Sequence, residues 1–154
     1  MYLYAVLLAL ILSVTEQTDI KKLFAGNWQL VTYVTFDANG QATDLKYAGG
    51  RIMYDEHGNM AAQLMRTPRE PLPPNPTPEQ RAAASRGYTA YYGKYTIDAE
   101  KGSVTHNVLG ALNFNVGAPL VRYYKFSEDG SRLMLSIRNA EGRVTGTLTW
   151  ERLR

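Results

Sequence analysis

Turn signals recur at short intervals along this chain, and between them apolar residues alternate with polar ones. Asn39-Gly40, Gly58-Asn59, Lys101-Gly102, Asp129-Gly130 and Glu141-Gly142 each separate two β-rich runs. A period of two puts alternate side chains on opposite faces of a strand, and a glycine-containing pair suits a tight hairpin. The strands this predicts are 27–36, 50–55, 59–65, 90–97, 103–108, 121–126, 132–138 and 144–152, with 111–115 as an optional addition. Consecutive hairpins form a meander, and a meander this long closes to remove its edges. The expected fold is all-β, an antiparallel up-and-down barrel. No βαβ alternation is visible and no glycine-rich phosphate loop follows a strand, which argues against nucleotide folds.

Two segments break the rhythm. Pro68, Pro71, Pro73, Pro74, Pro76 and Pro78 crowd residues 67–78, which therefore cannot pair within a sheet and form an extended loop. Thr77-Pro78-Glu79-Gln80 then starts a short helix, with Thr77 as N-cap, that runs to about Ser85 and ends at Arg86-Gly87. This insertion is either a lid across one mouth of the barrel or a plain linker. Before the first strand, residues 18–24 read as one short helical turn that Gly26 stops.

At 154 residues the chain holds one core rather than two, and its lack of cysteine excludes a disulfide framework, a thiolate metal site and a cysteine nucleophile. The net charge of +3 is dispersed, with no basic stripe of the kind nucleic acid requires. Residues 2–14 are apolar apart from Ser13. That run is too short for a stable membrane span and has the length of a secretory h-region. No Lys or Arg precedes it, however, and Ser13-Val14-Thr15 is a poor cleavage site. We therefore separate an N-terminal segment, 1–17, from a barrel domain, 18–154. The protein is secreted or periplasmic if the segment is a signal peptide, and cytoplasmic otherwise, whether the segment is a helix that packs on the domain or arises from a mispredicted start.

Gly26-Asn27-Trp28, opening the first strand, resembles the Gly-x-Trp of lipocalins and wider calycin barrels. The hairpin from Arg51-Ile52-Met53-Tyr54-Asp55 through Gly58-Asn59-Met60-Ala61-Ala62-Gln63-Leu64 resembles a narrower group, the small bacterial and fungal lipocalin-like domain family. So do Tyr91-Tyr92-Gly93-Lys94-Tyr95, Val104-Thr105-His106, Val121-Arg122, Arg132-Leu133-Met134-Leu135 and Leu148-Thr149-Trp150-Glu151-Arg152, in the same order. The resemblance covers roughly residues 23–152 and implies a calycin-type barrel with a central cavity. It further implies that Trp28 plugs the closed end with Arg152 stacked on it, a structural pair. It leaves activity open. One departure stands out: where such proteins tend to carry a tryptophan-glycine pair, this chain reads Asn115-Val116-Gly117.

His106 shares its strand's apolar face with Val104 and Val108. It is either a satisfied core residue, a ligand-binding group, or, if the protein is an enzyme, the catalytic general base. Arg122 shares a face with Leu120, Tyr124 and Phe126, and in one register it projects into the barrel, where an anionic group must offset its burial. Eleven tyrosines against four phenylalanines suit a half-wet cavity wall. Tyr33, Tyr54, Tyr92, Tyr95 and Tyr124 are the candidates. His57 falls in a turn. No His-x-x-x-His, acidic metal cluster or Gly-x-Ser-x-Gly elbow occurs, and Asp37, Asp55, Glu56, Asp129 and Glu141 all fall at turns. Three functions remain. The first is binding of a small hydrophobic or aromatic molecule. The second is a cofactor-independent isomerase or cyclase acting on a polyketide- or terpenoid-like substrate. The third is a scaffold filled by its own side chains. No cofactor or metal is implied.

Overall fold

The computed structural model describes residues 20–66, 71–112, 116–117 and 119–154. The apolar run at 2–14, the start of the proline-rich segment and most of the optional strand at 111–115 lie outside the described residues. Nine strands follow one another: β1 (Gly26–Phe36), β2 (Ala42–Asp44), β3 (Tyr47–Tyr54), β4 (Asn59–Arg66), β5 (Tyr88–Asp98), β6 (Ser103–Ala111), β7 (Pro119–Phe126), β8 (Arg132–Arg138) and β9 (Val144–Arg152). From β3 to β9 each strand pairs antiparallel with the next, and β1 pairs with both β3 and β9. Eight strands thus close into a barrel. The sequence pattern missed β2, which pairs with Val34–Phe36 beside the start of β3. Between them Lys46 takes a positive φ of 51°, held by the Asp44 carboxylate, which accepts from both the Lys46 amide and its ammonium.

The turn acids are structural. Asp37 Oδ1 accepts from the amides of Asn39 and Gln41, and Asp55 Oδ1 from those of His57 and Asn59. Each carboxylate satisfies two donors that a tight turn strands. The acids therefore stand at the ends of the barrel, as expected, and His57 is exposed.

One end of the barrel is shut. Residues 20–24 form a helical turn, α1, whose Phe24 is fully buried. Trp28, also fully buried, donates its indole N–H to the Phe24 carbonyl at 2.9 Å. The Arg152 guanidinium lies 4.1 Å over the Trp28 ring and donates to the carbonyls of Ala25, Leu23 and Gly130. One side chain thus ties α1, the β7–β8 turn and β9 together. Gly26 has a φ of +131°, and a Cβ there would meet an Arg152 nitrogen at 2.9 Å, so the first residue of the Gly-x-Trp must be glycine. Around Phe24 the rings of Tyr54, Tyr124 and Phe126 pack edge-on at 5.0–5.2 Å. Aromatics, then, fill this half of the interior.

A bulge decides what fills the other half. Leu30 faces Trp150 across the β1–β9 ladder, but Thr32 faces Thr149, so Val31 is an extra residue on β1 and is exposed. One inserted residue inverts the facing of everything beyond it. The alternation expected for 27–36 put Val34 and Phe36 on the Trp28 face; beyond the bulge Tyr33 turns inward instead.

The proline-capped helix forms as expected. In α2 (Pro78–Arg86) the Thr77 hydroxyl accepts from the Gln80 amide while the Gln80 side chain accepts from the Thr77 amide. The helix buries none of its residues, and none of them lines the interior cavity, so it makes no lid contact.

Candidate functional site

A cavity of about 130 Å³ occupies the half of the barrel away from α1. Its walls are graded. Ile52, Leu64, Tyr91, His106, Leu135, Leu148 and Trp150 are buried, whereas Tyr33, Tyr47, Thr89, Arg122 and Ile137 are partly exposed and form the rim. Strand alternation explains most of this set. On β5, Tyr91, Gly93 and Tyr95 are buried while Tyr92 and Lys94 are exposed. On β9, Leu148, Trp150 and Arg152 share the inner face, Arg152 reaching the plug and the other two the cavity.

His106 stands between the aromatic plug and the cavity. Its Nε2 lies 2.7 Å from the Tyr54 hydroxyl and its Nδ1 lies 3.0 Å from the Tyr91 hydroxyl. Burial, aided by the Arg122 charge, pushes the imidazole down to about 3, so it is neutral at physiological pH. A neutral imidazole offers one acceptor and one donor. Tyr54 is fully surrounded, and burial holds its hydroxyl protonated, well above the ordinary phenol range. If Nε2 carried the ring hydrogen, the Tyr54 hydrogen would have no acceptor, at a cost of about 1–3 kcal/mol. The favoured arrangement therefore has Tyr54 donating to Nε2 and Nδ1–H donating to the Tyr91 oxygen. Tyr91, pushed up to about 12 by burial, keeps its own hydrogen as a donor.

Arg122 points inward from β7, which settles its register. Tyr123 faces out, under the Arg138 guanidinium 3.9 Å from its ring. The Arg122 side chain donates to the carbonyl of Val121 at 2.9 Å. Its charge is felt by Tyr33, Tyr54, Tyr91 and His106. At the rim Arg66 donates to the Tyr47 hydroxyl at 3.2 Å, and the Tyr33 and Tyr47 rings pack at 5.5 Å.

Of the candidate residues, His106, Arg122 and Tyr33 line the cavity, and Tyr54 supports it from beneath through His106. Three do not. Tyr92 is 59% exposed on the outer face, where its ring covers Gly110, its cross-strand partner; a Cβ on Gly110 would lie 2.4 Å from that ring. Tyr95 faces inward but at the plug, donating to the Asp55 carbonyl at 2.7 Å and packing edge-on against Tyr54 at 4.9 Å. Tyr124 packs on Phe24 in the same plug. Val116, in the segment where the resemblance has a tryptophan-glycine pair, is exposed and not part of the wall.

Tyr91, Trp150 and Tyr47 are the residues that sequence reasoning passed over. Tyr91 shares the Tyr95 face at a spacing of four, and Trp150 shares the face of Arg152, so alternation carried both signals. Tyr47 precedes the predicted start of its strand at 50. Among the described residues, no three His, Asp or Glu side chains gather as a metal site would require, and no helix is long and apolar enough to cross a membrane.

One solved structure that resembles the chain is a redesigned β-barrel, 12% identical, with a TM-score of 0.42 over 87% of this chain and 95% of that one. No curated protein matches the chain. The family model for the lipocalin-like domain matches residues 25–153, from the glycine-tryptophan opening to the strand that carries Arg152. The chain therefore belongs to the lipocalin-like domain family.

Proposed function

We propose that the protein binds a compact hydrophobic molecule, about one aromatic ring in size, inside the barrel. The observation that carries this reading is the cavity itself: aliphatic side chains at depth, tyrosines at the rim, and a volume of about 130 Å³. An apolar cavity of about 150 Å³ is known to stay dry and take up benzene. Pockets for drug-sized ligands run to roughly 300–1,000 Å³, so a long chain or a fused polycycle does not fit without expansion. Affinity comes from burying the ring against Ile52, Leu64, Leu135 and Leu148 in a preformed space.

The rival reading, a cyclase with His106 as base, has three observations against it. An imidazole pushed down to about 3 abstracts protons poorly at neutral pH, and both of its nitrogens are engaged by tyrosines. A cavity of one-ring size also leaves no room to fold a polyene.

Titration with toluene, followed by the melting temperature, tests the binding reading. Saturation at about 100-fold over Kd stabilises the fold by about 2.7 kcal/mol, a rise of several degrees. Leu148→Trp, which pushes an indole into the space, abolishes the rise, whereas Tyr92→Ser on the outer face retains it. A parent protein whose melt does not respond to any single-ring hydrocarbon contradicts the reading.

A further inference from the structure

We infer that the cavity is built for an organic anion: a single-ring aromatic carboxylate whose charge meets Arg122. The inference rests on the binding reading above and adds the chemical class of the ligand.

Trp150 lines the cavity, which makes its indole N–H resonance a reporter of what enters it.

Charge carries the inference. Among the described residues, none that lines the cavity is acidic. Arg122, half-buried among them, donates to a single backbone carbonyl, and no carboxylate pairs with it among the described residues. Arg66, beyond Tyr47, adds its charge at the rim, and both guanidiniums act on Tyr33. A guanidinium at the rim with no carboxylate beside it favours an anionic ligand, and its planar fork matches the geometry of a carboxylate. A neutral hydrocarbon fills the space but leaves Arg122 unanswered. A cationic ligand is repelled. Size then selects among anions, because about 130 Å³ admits one ring and a small substituent.

Benzoate, toluene and benzylamine, matched in size and different in charge, separate the possibilities. Binding is read by calorimetry and by the indole N–H resonance of Trp150, assigned through its loss in Trp150→Phe. Benzoate is expected to bind at least tenfold more tightly than toluene and to move that resonance, while benzylamine does not bind. Arg122→Gln is expected to erase the difference between benzoate and toluene. Toluene binding as tightly as benzoate overturns the anion inference and leaves the apolar-cavity reading standing. If neither binds, both fall. Benzoate that binds without moving the Trp150 resonance, or whose advantage survives Arg122→Gln, sits elsewhere, and that also overturns the inference.

Discussion

His106→Ala lowers the free energy of unfolding by about 3–5 kcal/mol, and for a chain of this length the melting temperature falls by roughly 10 °C. The substitution opens a hole at the junction of plug and cavity, and it strands the hydroxyl of Tyr54, whose hydrogen bond goes to Nε2. Tyr91 loses its Nδ1 partner as well. A group that only moved protons could be removed with the melt unchanged; this one holds two strands' tyrosines in place. His106→Gln, whose amide supplies one acceptor and one donor, recovers part of the loss. Acid separates these variants further. The unfolded imidazole takes up a proton near pH 6.5, the folded one only near 3, so the folded state binds fewer protons between those limits. Stability from this group is complete above about pH 6.5 and declines as pH falls toward 3, by at most about 1.4 kcal/mol per pH unit. His106→Gln lacks that component, and because the turn carboxylates are common to both proteins, the difference between their pH profiles isolates the histidine. A melt unchanged by His106→Ala contradicts the account of this residue.

Trp28→Ala destabilises by a similar amount, about 3–5 kcal/mol for the lost ring, with a further ~0.5–2 kcal/mol from the stacked guanidinium. The loss also frees the Phe24 carbonyl from its indole donor. Arg152→Ala is expected to loosen α1 specifically, since three of its contacts are to carbonyls of the chain entering and bracing the barrel. Arg152→Lys recovers little, because an ammonium neither stacks flat on the indole nor forks to separate carbonyls. Chemical denaturation gives the magnitudes, and amide exchange over residues 20–26 shows where the loss falls. An Arg152→Ala protein that melts with the parent and protects those amides equally contradicts the clasp.

The barrel was legible because its signals are local. Glycine turns mark the hairpins, and the resemblance that Gly26 and Trp28 open implies the closed end with Arg152 stacked on the indole. The proline-capped helix was legible for the same reason, as Thr77, Pro78 and Gln80 satisfy their own backbone within one turn. The cavity wall was only half legible. Its membership turns on parity, and parity fails wherever a residue is inserted. Val31 reverses the facing of β1, so Tyr33 lines the cavity although strict alternation from Trp28 places it outside. For Arg122 the sequence allowed two registers, and pairing with Val104 across the β6–β7 ladder selects the inward one. Tyr92 and Tyr95 are both candidates by residue type, but three apart on one strand they face opposite ways, and alternation alone does not say which of the two faces the lumen. Gly110, the partner of Tyr92, was the missed sign that an outward ring covers a bare stretch of β6. Tyr95 and Tyr124 show a different limit. Alternation tells in from out, but not which half of the interior a side chain fills, and these two join the plug because α1 brings Phe24 between them.

Above the plug the interior holds an accessible apolar hollow. A crystal structure under xenon pressure locates it, since xenon enters dry cavities of this size. A xenon peak enclosed by Ile52, Leu64, Leu135, Leu148 and Trp150 is expected. Side chains filling that space, with no xenon inside the barrel, would contradict it.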